Sequence, residues 1–411
     1  MDQILKPVPD VGVPPAEPGP SMARLAGVDL ARALAVFGMF TVHIGPPLGA
    51  VDGVAGWLRY LADGRSSVLF ATLAGFSLVL IAGRLEPKTG LAGRQAKARI
   101  AIRAVILLAL GIVMAMFYGG VVILAFYAVY FLLALPLVQL RARTLAIVAA
   151  VLAVVAPQVA FLLRSVLTEP VTATINAYDP LTKLSEVGVL DLLLTGFYPT
   201  ITWMPFVIAG MALGRLDLAA RTVWPRLAAL GAALMAVGYG TPYVAAMVFD
   251  GAAAALAEQS AALVTMGMDS GPKSFDSGSG MMPPDQLGSA WSLLTAGPHS
   301  GTTFDIIGSL GVAITVIVWA TVALDRLPLL RRLAAPVIAV GTMSLTAYVG
   351  HFVLTSLVSV PKGTATQVSW QPLIWFVVGT TVFAWTWSRF FRRGPLEYVL
   401  NAATKPARFV R

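Results

Sequence analysis

Asp29, Arg32 and His43 stand in or at the edges of an apolar run, GVDLARALAVFGMFTVHIG, residues 27–45. Ionisable groups at membrane depth cost about 3 kcal/mol each on insertion scales, so they mark a pathway, a site or a buried pair. On a helix Asp29 and Arg32, three apart, share a face. His43 follows Arg32 by eleven residues, which returns it to that face after almost three turns, about 16 Å along the axis. Two readings stay open: a polar stripe lining a site, or an Asp–Arg pair at one interface with a histidine at the other. The run ADGRSSVLFATLAGFSLVL, residues 62–80, holds a second group. Asp63 is a candidate N-cap, Ser66 and Ser67 fall in the first turn, and Arg65 adds a positive charge. A helix N-terminus with free N–H groups suits an anion or a developing oxyanion. Plain capping beside a snorkelling arginine would use the same residues. Further along, GPHSGTTFD (297–305) places His299 just before a helix start that carries Asp305. SLTAYVGHF (344–352) places Tyr348 and His351 on one helical face, toward the depth of His43. A histidine can act as a general base at neutral pH, and it can equally be a hydrogen-bonded structural group.

The elements that position these residues are apolar helices. The chain has 411 residues, 57% hydrophobic and 12% charged, against roughly 25% charged in soluble domains. Stretches near 25–48, 64–83, 101–118, 121–140, 144–164, 191–213, 226–249, 301–324, 335–358 and 370–390 are long and apolar enough for membrane spans. The expected fold is an all-α polytopic membrane protein of about ten transmembrane helices. Arg84, Arg94, Lys97, Arg99 and Arg103, with Arg141, Arg143, Arg215, Arg326 and the basic C-terminal residues, fall on one side. That asymmetry makes both termini cytoplasmic. The net charge of +9 is accounted for by topology, so nucleic acid is not expected as a partner. Residues 1–22 are proline-rich and read as a disordered cytoplasmic tail, residues 23–400 as the membrane domain, and 401–411 as a basic tail. No signal-peptide pattern precedes the first span, which reads as uncleaved. Outside loops are expected at 166–190 and 250–300, and 268–288 reads as a flexible lid or a disordered insertion.

The absence of cysteine excludes disulfides, thiolate metal sites and thioesters on the protein, and three histidines leave little for a metal site. No G-x-S-x-G elbow, P-loop or dinucleotide glycine fingerprint is present.

The stretches RLAGVDLARALAVFGMFTVHIG, DGRSSVLFATLAGFSL, PHSGTTFDIIGSLG, SLTAYVGHF and RRGPLEYVL together resemble bacterial multispanning proteins related to heparan-α-glucosaminide N-acetyltransferase, in a transmembrane acyltransferase superfamily. The resemblance spans residues 24–400 approximately. It implies an O- or N-acyltransferase of the plasma (inner) membrane that takes an acyl group, acetyl foremost, from cytoplasmic acyl-CoA. The acceptor would be an extracytoplasmic glycan or glycolipid. On that scheme Arg84, Arg94, Lys97 and Arg99 hold the CoA phosphates, with Asp29 and Arg32 beside the donor. His43 deprotonates the acceptor, Asp63 and Arg65 stabilise the oxyanion, Tyr348 and His351 join the catalytic group, and His299 and Asp305 contact the acceptor. One departure stands out. The lysosomal relative has a histidine in the loop after the first span; here 46–62 has none, and His43 stands where that family has asparagine. The base is thus His43, His299 or His351, or no histidine at all. The alternative activity is a transporter of a small anion or lipid, in which the polar stripe lines a path. A homodimer is compatible with either, and a non-catalytic scaffold would leave the stripe unexplained.

Overall fold

The computed structural model describes residues 23–47, 51–218, 220–268, 289–358 and 369–411. The expected tail over 1–22 and nearly all of the expected lid at 268–288 lie outside these residues. The described chain is helical throughout. In order, α1 (Ala23–Ile44), α2 (Gly53–Ala62), α3 (Arg65–Ile81), α4 (Gly90–Tyr118) and α5 (Leu124–Ala134) come first. Then follow α6 (Ala142–Val166), α7 (Glu169–Tyr178), α8 (Pro180–Ser185), α9 (Thr200–Gly214), α10 (Val223–Val248) and α11 (Asp250–Met268). The last are α12 (Thr303–Arg326), α13 (Pro328–Leu333), α14 (Ala335–Thr342), α15 (Ser344–Leu357), α16 (Gln371–Phe390) and α17 (Pro395–Ala403).

Six helical stretches among the described residues are long and apolar enough to cross a membrane: 26–44, 53–81, 90–121, 142–166, 223–248 and 303–326. A seventh results if α14 and α15, bent by 86° at Met343, count as one broken span. A helix occupies each of the ten expected stretches, yet two are short, and the 20-residue α16 is not among the helices apolar enough to cross. Pro136 follows the end of α5, and Pro199 precedes α9. Proline lacks the N–H that a continuing helix needs. At 11 and 15 residues and 1.5 Å per residue, these helices reach about 16 and 22 Å against a hydrocarbon core of about 30 Å. The described parts of the expected outside loops are also largely helical. Residues 166–190 fold as α7 and α8, with the Asp179 carboxylate capping α8 by accepting the Leu181 N–H at 2.8 Å, and 250–268 is α11.

α3 and α9 form the centre of the bundle. Nearly every residue of both is buried, as expected of helices that are apolar on all faces. They meet backbone to backbone. A Cβ on Gly75 would strike the Val207 carbonyl, and one on Gly210 would strike that of Thr72. α10 and α12 meet likewise at Gly231 against Gly311 and Gly238 against Gly308. In lipid, where tails are as apolar as leucine, such close approach and its dispersion contacts drive helix association. Gly38 of α1 faces Ser66 of α3 equally closely, which brings the end of the first span against the start of the third helix.

Candidate active site

His43 sits one residue before the end of α1, half-buried, and its Nδ1 lies 2.8 Å from Nε2 of His351 on α15. His351 is 2% exposed and packed between Phe40 and Phe352, with ring centroids 5.0 and 4.2 Å away. Its remaining nitrogen, Nδ1, is buried without a hydrogen bond of normal geometry. The two imidazoles are nearly parallel, inclined by 16°. Tyr348 stands beside His351 at 5.4 Å, as its spacing suggests, but its hydroxyl accepts the Ile123 N–H at 3.1 Å and so ties α15 to the chain entering α5.

The junction of α2 and α3 lies within electrostatic reach of His43. Asp63 is not the N-cap of α3: Gly64 is, at φ +66°, and Asp63 instead closes α2. The turn from α2 into α3 needs positive φ, which glycine supplies without a Cβ penalty. A Cβ there would also meet Pro298. The Asp63 carboxylate pairs with Arg59 at 3.3 Å, and Arg59, 4% exposed, donates to the Pro46 carbonyl just beyond α1. Asp63 is near enough to act electrostatically on both His43 and His299.

Arg65 is 5% exposed. Among the described residues no carboxylate lies within ion-pair distance of it. Its guanidinium donates to the Tyr239 hydroxyl (3.2 Å), the Tyr60 hydroxyl (3.2 Å) and the carbonyls of Tyr60 and Asp63 (3.0 and 3.2 Å). It also lies over the faces of both tyrosine rings, at 4.4 and 5.2 Å. The polar chain continues from Tyr239 to Ser309 (3.2 Å) and from Ser309 to Asp305 (2.9 Å). Asp305 is engaged in local structure. Its second oxygen accepts the Gly301 N–H, while its own N–H is held by Thr302, the N-cap of α12. This differs from a capping box only in that the returning carboxylate takes the N–H one residue before the N-cap. It leaves Asp305 linked to Arg65 through two hydroxyls rather than open to solvent.

His299 occupies the loop that closes over Gly64, at φ +60°, against Phe197, Tyr198 and Trp203. Its Nδ1 is buried without a hydrogen bond of normal geometry, and the Phe197 backbone lies within reach of the ring. Burial pushes this imidazole below its ordinary pKa; Asp63 opposes the fall and Arg65 adds to it.

At the other end of α1, Arg32 and Asp29 form an ion pair at 2.7 Å. Arg32 also donates to Ser77 of α3 (3.2 Å) and to the Gly341 carbonyl (3.4 Å), so it joins three elements below the histidines. Arg84 is packed on the Leu216 carbonyl and near the Phe76 ring, a structural placement rather than a solvent-facing one. Arg94 and Arg99 are exposed and Lys97 half-buried on the first turns of α4. That helix has 29 residues, about 43 Å, and so extends beyond a bilayer core. Among the described residues no three His, Asp or Glu side chains converge to hold a metal ion.

Sequence reasoning missed Arg59, Tyr60, Tyr239 and Ser309. Only Ser309 carried a signal, four residues after Asp305 on one helical face. The site joins two matched segments. A family model described as Heparan-alpha-glucosaminide N-acetyltransferase, catalytic, matches residues 24–241. A second, described as Protein of unknown function (DUF418), matches residues 281–406. The first segment holds His43, Asp63, Arg65 and Tyr239; the second holds His299, Asp305, Tyr348 and His351. No curated protein matches the chain.

Proposed function

Because this chain belongs to the heparan-alpha-glucosaminide N-acetyltransferase catalytic family, we propose that it transfers an acyl group from acyl-CoA to a glycan or glycolipid across the membrane, with His43 as the general base. The hydrogen-bonded His43–His351 pair, with the Arg59–Asp63 ion pair within electrostatic reach of His43, carries this reading. When His43 donates its Nδ1–H to Nε2 of His351, the lone pair on its own Nε2 is free to take a proton. The opposite tautomer pair leaves His43 protonated at Nε2, ready to return that proton. A base oriented by a third group is the general design of acyl transfer.

In the forward reaction the acceptor hydroxyl or amine loses its proton to His43 Nε2 as its oxygen or nitrogen bonds the thioester carbon. Negative charge collects on the carbonyl oxygen, where Arg65 and the N–H groups opening α3 would stabilise it. The C–S bond then breaks, and CoA leaves as the thiol with the proton that His43 held. Asp63, paired with Arg59, sets the field around both outer histidines. Arg94, Lys97 and Arg99 would meet the CoA phosphates, with Asp29 and Arg32 between them and the histidines. In this reading the chain crosses the inner membrane ten times, counting α5, α9 and α16 as spans, with both termini in the cytoplasm.

The bent α14–α15 pair is the one feature that favours a transporter, since transport sites are often built on broken helices. Coenzyme A separates the two readings. Purified protein should bind it by calorimetry, and charge reversal at Arg94, Lys97 and Arg99 should weaken binding. Wild-type protein that binds neither CoA nor acetyl-CoA would overturn the transferase reading.

A further inference from the structure

α15 begins inside the bundle, right after the 86° bend at Met343. The first N–H groups of any helix lack intrahelical partners, and where they are half-buried, as Leu345 and Thr346 are, they are normally paired within the protein. Met343 occupies the N-cap position and makes no side-chain cap. The Leu345 and Thr346 N–H groups, second and third in the helix, both donate to Oε1 of Glu397, at 2.7 and 3.2 Å. Those are the two amides that an N-cap side chain satisfies. The Thr346 hydroxyl donates to Oε2 at 2.6 Å, and the Leu396 N–H donates back to that hydroxyl at 3.0 Å. Glu397 thus caps α15 from 52 residues away. The local sequence RRGPLEYVL is built for this. Pro395 starts α17, and Gly394 leaves the space, because a Cβ there would strike the Glu397 carboxylate and the Met343 side chain. Arg103 lies within electrostatic reach of the same carboxylate.

α15 carries His351 six residues above Leu345, about 9 Å up the axis. We propose that Glu397 is a positioning residue for the transfer reaction: by capping α15 it sets the depth and rotation of that helix, and so holds His351 on His43. The inference rests on the acyltransferase reading for its consequence in catalysis, though the capping itself does not.

The experiment has two arms, so that the two ideas can fail separately. The chain has no cysteine, so Tyr118→Cys with Phe352→Cys, whose rings stand 5.1 Å apart across α4 and α15, gives a clean register probe with a short bifunctional thiol reagent. Crosslinking should fall several-fold when Glu397→Ala or Gly394→Ala is added, and less with Glu397→Gln, whose amide oxygen still accepts both N–H groups. In the second arm, measured without the cysteines, Glu397→Ala should lower kcat on the order of tenfold, the scale of one helix cap, at unchanged KM for acyl-CoA. Combined with His351→Phe it should add almost nothing, because both changes release the same base. Unchanged crosslinking, or losses that multiply in the double variant, would overturn the proposal. If Glu397→Ala fails to fold, Glu397→Gln and Gly394→Ala carry both comparisons. Should wild-type protein transfer no acyl group, the crosslinking arm decides alone.

Discussion

Replacing His351 with phenylalanine isolates the orienting half of the histidine pair. The site favours this substitution for testing: His351 is 2% exposed and ringed by Phe40, Tyr348 and Phe352, so a phenyl ring keeps the packing and deletes the 2.8 Å hydrogen bond. A neutral hydrogen bond contributes about 0.5–1.5 kcal/mol net, or about 2- to 13-fold in rate if it exists only in the productive arrangement. Leaving the His43 Nδ1 unpaired in a dry site adds about 1–3 kcal/mol, although rotation of a half-buried ring relieves part of that. The expected loss in kcat is therefore on the order of 10- to 100-fold. His43→Ala removes the base itself and should cost about 100- to 10,000-fold. Released CoA thiol can be followed with a thiol-reactive dye without background, since the protein has no cysteine. Amino sugars and lipid-linked glycans would serve as trial acceptors. The folded protein should melt in detergent within a few degrees of wild type. A larger loss in His351→Phe than in His43→Ala would refute the assignment of roles and make His351 the base. An unchanged rate in His351→Phe would show that the pair has no part in the reaction.

Arg65→Lys should lower kcat by about 100-fold or more, the scale of one lost oxyanion donor, because one ammonium cannot reach both Tyr60 and Tyr239 as the guanidinium fork does. Full activity with lysine, in the same CoA-release assay, would remove Arg65 from the oxyanion role. Asp29→Ala strands Arg32, whose pair is 17% and 22% exposed, and should destabilise by about 3 kcal/mol, the lower end for buried pairs. Thermal melts in detergent measure it, and Asp29→Asn with Arg32→Gln should recover part of the loss; no recovery would mean that the stranded charge is not the cause. Gly210→Leu drives a side chain into the Thr72 carbonyl and should abolish a monodisperse peak in size exclusion. A variant that elutes and melts like wild type would contradict the backbone contact of α3 with α9.

What was legible in the sequence follows from which forces act locally. The Asp29–Arg32 pair needed only helical spacing, and it is present at 2.7 Å. His43 and His351 were each conspicuous as ionisable groups in apolar runs, and a common depth in the membrane was enough to suggest that they stand at one level. Their hydrogen bond spans 308 residues, which no local pattern encodes. Asp63 was misread because Asp-Gly before an apolar run is a common N-cap signal, whereas here a second helix ends at that residue and the positive φ falls on Gly64. Two expected spans came out short because proline restricts helix ends more sharply than apolar composition extends them. Tyr60 and Tyr239 gave no warning: a tyrosine in an apolar helix looks the same whether it packs or receives a guanidinium. Glu397 shows the same limit in a stronger form. In sequence it is an ordinary first-turn carboxylate of α17, which a helix N-terminus favours on its own account. Only the bend at Met343 creates a second helix N-terminus for it to cap. A broken helix in a membrane therefore requires a polar partner from elsewhere in the chain, and that partner must be sought at the break, not in the segment where it resides.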